Sequence, residues 1–169
     1  LKGESVNGFS FIGNLPYEAG SHILKSVAIH SGQVNQFLFM LQKEVVERVC
    51  SSHGTSDFGS LSVLMQGQFV MEALDIVPPG AFRPAPKVQS QLMRGRVRTE
   101  GRHPLTSEFQ KFVQSSFLQK RKTLRNTWKS WLRPEKIDDV FSRFEFLPTV
   151  RAEEIKVDLW PKLFDEVSK

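Results

Sequence analysis

The chain has 169 residues, 40% hydrophobic and 24% charged, with a formal net charge of +5. That length suffices for one sizeable domain or two small ones with a real core, and no biased tract points to disorder. No apolar run approaches the ~20 residues that span a bilayer. The first residues also lack the charged-then-apolar order of a secretory signal, so a cytoplasmic setting without membrane attachment is expected.

In chain order, Ser10-Phe11-Ile12-Gly13 is a short apolar run followed by Pro16. It predicts a buried strand delivering a loop at its carboxyl end, the end where open α/β sheets bind ligands. Ile23 to Ile29 reads as a short helix, and Val34 to Met40, rich in β-branched and aromatic residues, as a second strand. Lys43 to Val49 follows as a helix, with Val45, Val46 and Val49 at helical spacing. The order strand, helix, strand, helix favours a partly parallel sheet. After the loop Ser51 to Gly59, Leu61 to Gln66 suits a short helix. Phe69 to Val77 and Val88 to Val97 are extended stretches joined by a connection holding Pro78, Pro79, Pro84 and Pro86. Each proline fixes its own φ and biases the residue before it, so the connection is stiff and non-helical.

The character changes around Thr99 to Pro104. Beyond it, helical patterns cover Ser107 to Leu118, Lys120 to Leu132, Pro134 to Phe144 and Val157 to Val167. Two parts are expected: residues 1–100 from an α/β sheet and residues 101–169 as a small all-helical domain. Lys and Arg number nine against eight Asp and Glu before residue 101, and fourteen against ten after it. Lys120, Arg121, Lys122, Arg125, Lys129 and Arg133 occur with no acid among them. Such a block fits phosphate binding; it equally fits the solvated face of a basic helix.

Other residue classes point to structure. Cys50 has no second cysteine to pair with and reads as a buried thiol. His22, His30, His53 and His103 have no metal-ligand spacing with one another or with Cys50, so no metal site is expected. Trp128, Trp131 and Trp160 read as packing residues, Glu44 and Glu47 as solvated charges, and no nucleophile motif occurs.

The sharpest feature is Asn14-Leu15-Pro16-Tyr17, directly after the first strand. The Asn side-chain carbonyl and the backbone carbonyl of a proline-held turn are two fixed acceptors. Together they can take both hydrogens of an aromatic amine, localise its lone pair and aim it at a methyl donor without a general base. Tyr17 can stack on the base that carries the amine. The same four residues also suit a strand-to-helix turn with a capping Asn and a packed Tyr.

Phe11-Ile12-Gly13-Asn14-Leu15-Pro16-Tyr17 resembles the signature of the KsgA family of rRNA adenine dimethyltransferases. Further stretches match that family in order: Met40 to Val45, Gly59 to Val63, Val77 to Ser90, and Phe117 to Asn126. The resemblance implies the C-terminal half of a Rossmann-like, S-adenosylmethionine-dependent methyltransferase sheet followed by a helical RNA-binding domain. It implies that Asn14 and Pro16 receive the target amine, with Asn14 and Leu15 near the methyl donor. Tyr17 and Phe82 would close on opposite faces of a flipped adenine; a buried structural Phe is the other reading of Phe82. Lys120, Arg121, Lys122 and Arg125 would grip rRNA phosphates, and Lys87 is either a phosphate-facing or a loop-stabilising cation. The implied partner is small-subunit rRNA in an immature small ribosomal subunit.

Two departures accompany the match. Glu18-Ala19-Gly20-Ser21-His22 replaces the family's usual stretch after the signature, which alters the pocket lip. A Gly-rich loop and a following acidic residue that would hold the donor are missing from the sequence. This chain alone is therefore expected to be inactive and to bind the donor weakly or not at all. Rival functions are a macrolide-resistance-type methyltransferase of large-subunit rRNA and a ribosome-assembly factor that binds RNA without methylating it.

Overall fold

The computed structural model describes residues 8–169, so the opening seven residues of the 1–100 part lie outside the described residues. The first part runs β1 (Phe9–Asn14), α1 (Gly20–Ile29), β2 (Val34–Gln42), α2 (Lys43–Cys50), α3 (Ser60–Gln66), β3 (Phe69–Val77) and β4 (Ser90–Val97). The sheet order is β1-β2-β4-β3. β1 and β2 are parallel, and β4 runs antiparallel to both of its neighbours. The crossover through α1 makes the parallel pair; β4 returns from the proline-rich connection into the gap between β2 and β3.

Period-two alternation along β2 puts Phe37, Phe39 and Leu41 in the core. There they meet Leu24 and Ala28 of α1, Val45, Val46 and Val49 of α2, Leu61 and Met65 of α3, and Phe69 and Met93. Each such large side chain contributes roughly 1.5–3 kcal/mol by leaving water. Gly95 of β4 lies opposite Phe37, and a Cβ there would stand 2.2 Å from the ring, so glycine lets the ring lie across the strand.

The helical part comprises α4 (Ser107–Ser116), α5 (Leu124–Trp128), α6 (Pro134–Arg143) and α7 (Trp160–Val167). Its core gathers Phe112, Val113, Leu124, Trp128, Ile137, Val140, Phe141, Trp160 and Leu163. This core reaches back across residue 100 to include Phe58, Val63 and Leu64. α3 thus serves both cores, with Leu61 and Met65 in one and Val63 and Leu64 in the other. A buried polar clasp adds to the junction: Ser31 donates to Gln68 Oε1 (2.8 Å), and Gln68 Nε2 donates to the His103 carbonyl (2.8 Å). Arg98 donates to Asp158 (2.8 Å) across the same junction. Ser62 has its own task, accepting from the Gly59 amide (3.0 Å) and donating to the Arg48 carbonyl at the end of α2 (2.6 Å). Ser51 Oγ donates to the same carbonyl (2.7 Å), so two hydroxyls satisfy this helix-end acceptor.

Several sequence expectations are corrected. β1 is not buried: Phe9, Phe11 and Ile12 are 66%, 42% and 85% exposed, because among the described residues its one sheet neighbour is β2. Lys120 to Leu132 is not one helix. The chain turns through 117–122, and α5 starts afresh at Leu124. The cause is Thr123, whose extended backbone and hydroxyl, accepting from the Asn126 amide (3.3 Å), form a new N-cap. Lys120, Arg121 and Lys122 therefore sit on a turn instead of a helix face. β4 begins at Ser90, two residues later than expected, and the last helix is preceded by a single tight turn over Val157–Leu159. Trp128 and Trp160 are fully buried; Trp131 is 40% exposed and packs edge-on against Phe112.

Candidate active site

Asn14 is the last residue of β1 and pairs in register with Met40 of β2. The Leu15 amide donates to the Met40 carbonyl (3.0 Å), so the chain keeps its hold on β2 one residue past the strand. Pro16 then turns it, and the Pro16 carbonyl accepts from the Ala19 amide (3.1 Å) as the lead into α1. A carbonyl oxygen has two lone pairs, so this bond orients Pro16 while leaving one acceptor direction free. Gly20 begins α1 against Leu41, where a Cβ would come within 2.7 Å of the leucine side chain. Glycine in the altered lip stretch thus allows α1 to close onto β2.

Asn14 is exposed and Tyr17 half-buried. The Tyr17 hydroxyl and Ser90 Oγ are 2.6 Å apart and share a hydrogen bond. Ser90 is fully buried at the head of β4, between Gln42 of β2 and Val77 of β3. Across from this pair the proline-rich connection makes a tight turn, in which the Ala81 and Phe82 amides donate to the carbonyls of Pro78 (3.0 Å) and Pro79 (3.1 Å). Its far end is pinned where the Lys43 amide donates to the Gln89 carbonyl (3.0 Å). The Arg83–Pro84 peptide is cis.

These elements line an open cavity of about 410 Å³, bounded by Asn14, Leu15, Pro16, Tyr17, Phe82, Pro84 and Pro86. The volume is within the range of small-molecule sites, and a mainly apolar wall with few fixed polar groups is their usual makeup. Among the described residues, Tyr17 carries the only ionisable side chain in the lining. Among the same residues the lining thus offers two aromatic side chains, the Asn14 amide and backbone carbonyls, and no carboxylate or imidazole.

The structure thus brings Asn14, Leu15, Pro16, Tyr17 and Phe82 together. Lys87 is exposed on the connection and does not line the cavity. Lys120, Arg121 and Lys122 are exposed on the turn after α4. Arg125 is separated from them in role: it is ion-paired with Asp138, and its guanidinium lies 5.6 Å from the centre of the Phe141 ring. Sequence reasoning missed Ser90, whose contact with Tyr17 spans 73 residues. It also missed Lys25 and Arg48, which line a groove of about 310 Å³ with Ser21, Asp57 and Lys120. Lys25 is the one Lys or Arg of α1, and Arg48 shares α2 with Lys43, so neither forms a charge run in the sequence; the packing of α1 and α2 beside the turn groups them.

Burial, reinforced by the charge of Glu72, pushes the half-buried Cys50 thiol up to about 11. Among the described residues no group of three His, Cys, Asp or Glu side chains is placed to hold a metal ion. No helix among them is long and apolar enough to cross a membrane.

A mixed sheet with a ligand-sized cavity at the carboxyl end of a parallel strand is an α/β arrangement. The same fold occurs in the crystal structure of a dimethyladenosine transferase from Plasmodium falciparum, with TM-score 0.78 and 21% identity over 96% of this chain and 70% of that one. It occurs also in the crystal structure of 23S rRNA methyltransferase ErmE, with TM-score 0.63 and 19% identity over 96% of this chain and 66% of that one. The profile of the family described as ribosomal RNA adenine dimethylase matches residues 2–169, and the chain belongs to that family. Among its relatives, a ribosomal RNA small subunit methyltransferase A from Nitrosomonas europaea is 37% identical over 97% of this chain and 63% of its own length. The protein of the same name from Pseudomonas aeruginosa is 36% identical over 98% of this chain and 61% of its own. That from Aromatoleum aromaticum is 45% identical over 72% and 46%. The chain thus spans about half to under two thirds of the length of these relatives.

Proposed function

We propose that this chain supplies the adenine pocket and the RNA-gripping part of an enzyme that dimethylates adenosines in small-subunit rRNA. The observation that carries the reading is the shared cavity of Asn14, Pro16, Tyr17 and Phe82 at the end of β1. Residues 1–100 form the catalytic part and 101–169 the helical RNA-binding part, with α3 joining their cores. The relatives named as small-subunit methyltransferases, at 36–45% identity, favour the small over the large subunit.

The target adenine leaves its stack and slides between Tyr17 and Phe82. Stacking on aromatic side chains is worth roughly 1–3 kcal/mol per base, which offsets the few kcal/mol of unstacking. In the first methyl transfer Asn14 Oδ1 and the free lone pair of the Pro16 carbonyl each accept one N–H of the exocyclic amine; in the second, the single remaining N–H is held by one of them. That draws the nitrogen lone pair out of conjugation with the ring and points it along one line. S-adenosylmethionine, when bound, supplies an electrophilic methyl on a sulfonium. Asn14 and Leu15 fit the methyl end of that donor, since they stand at the ligand-binding end of a parallel strand. With no base in the lining among the described residues, the proton released from the amine passes to solvent through the open mouth of the pocket. Lys120, Arg121 and Lys122 grip rRNA phosphates and supply affinity without sequence reading.

The test replaces Asn14 by Ala in the protein that carries this chain and follows methyl incorporation into small-subunit rRNA. Loss of about 100-fold or more, of the size seen when a fixed polar group at a reacting centre is removed, with RNA affinity kept, is the expected result. Normal methylation by the variant would overturn the reading. Modified adenosines mapped by primer extension to large-subunit RNA would overturn the choice of substrate.

A further inference from the structure

We infer that Ser90 is a positioning residue for this reaction, fixing the plane of the Tyr17 ring through the hydrogen bond between their hydroxyls. The inference rests on the adenine-clamp reading above.

The two jaws of the clamp are held differently. Phe82 has no polar handle, and the proline-rich turn sets its place through backbone bonds. Tyr17 follows a single proline turn and is half-buried, and the polar handle at the far end of its ring is the hydroxyl. Its tie is the 2.6 Å contact with Ser90, at the short end of the range for paired hydroxyls. Ser90 is a rigid post: it is fully buried and hydrogen-bonded into a sheet with a strand on each side, at the head of β4.

The residue types argue for more than packing. A hydroxyl on a fully buried strand position is costly unless it finds a partner, and an apolar side chain there would serve packing better. Serine at 90 with tyrosine at 17 makes sense as a matched pair. The bond also leaves the ring faces free for a base, because it occupies only the ring edge. A ring held this way presents the base at one angle to the carbonyls of Asn14 and Pro16. Freed, it would still stack on adenine, but the amine would meet the acceptors out of line. Small losses of alignment at a reacting centre lower turnover more than binding.

The experiment uses the protein that carries this chain, assayed for methyl transfer to small-subunit rRNA. Ser90→Ala is expected to lower kcat about fivefold to tenfold, the fold-change of one missing hydrogen bond, with KM within about twofold. Ser90→Thr keeps a hydroxyl and should restore most of the rate. Tyr17→Phe cuts the same bond from the other side without touching the strand, and should match Ser90→Ala even if that variant folds poorly. The double variant should be no worse than either single, since both remove one interaction. Wild-type kcat in Tyr17→Phe, or additive losses in the double variant, would overturn the inference. Tyr17→Ala separates the two levels of the argument. If it abolishes methylation while Tyr17→Phe is silent, the clamp stands and the Ser90 inference falls. If Tyr17→Ala methylates normally, the clamp itself is wrong.

Discussion

Replacing Gly95 by Ala probes the packing that holds β4, and so the head of the strand on which Ser90 sits. The added methyl would lie 2.2 Å and 2.4 Å from two carbons of the Phe37 ring, whereas ordinary contact begins at 3.4 Å. The ring must therefore retreat by about 1.2 Å, the difference between those distances. It has nowhere to go: Phe37 is 1% exposed, stacked on Phe39 at 4.7 Å and set edge-on to Phe69 at 5.2 Å. Overpacking of this kind costs about 1–3 kcal/mol. Loss of glycine's extra backbone freedom in the unfolded chain returns roughly 0.5–1 kcal/mol. A net loss near the upper end, about 2 kcal/mol, lowers the melting temperature of a domain this size by about 4–8 °C. Circular dichroism melts of Gly95→Ala against wild type measure it, and Phe37→Leu added to Gly95→Ala should recover part of the loss by making room. A single variant melting within about 1 °C of wild type would refute the reasoning, because it would mean the ring can move at no cost.

Two other predictions follow from charge. Changing Lys120, Arg121 and Lys122 together to Gln should reduce the slope of log affinity for rRNA against log salt by about 2–3, one unit or slightly less for each phosphate no longer neutralised. An unchanged slope in filter binding at several salt concentrations would assign those cations to solvent. For Cys50, a thiol pushed up from 9.0 to about 11 stays neutral near pH 7 and resists alkylation in the folded protein, as intact mass after iodoacetamide would record. Its folded value lies above its unfolded one, so its contribution to stability is complete below pH 9.0 and is lost as pH rises towards about 11. Denaturant midpoints should show no fall from this thiol until pH passes 9.0, and rapid labelling at neutral pH would contradict the burial.

The part of the site that sequence made legible is the part built from contiguous residues. Asn14 to Tyr17 ends an apolar strand, and the four prolines from 78 to 86 mark a stiff connection, so each half of the cavity was visible locally. What sequence could not supply is the approach of the two halves, which depends on β4 inserting antiparallel between β2 and β3. Pairing of that kind is a matter of register over tens of residues, and neither alternation nor turn chemistry encodes it. The Ser90 contact has the same origin. The error at Lys120 to Leu132 is of another sort: helix formers continue through the segment, but a threonine cap at 123 outweighs propensity and restarts the helix. The exposure of β1 likewise escaped a reading by periodicity, since an apolar run does not say how many strands lie beside it.

The most direct test labels the pocket from the RNA side. A small-subunit rRNA hairpin carrying 8-azidoadenosine at the methylated position is irradiated with the protein that carries this chain, and the crosslinked peptide is identified by mass spectrometry. The account predicts attachment to Tyr17 or Phe82, abolished when excess unmodified hairpin competes. Crosslinks confined to the helices after residue 101, with none in the cavity at the end of β1, would contradict it.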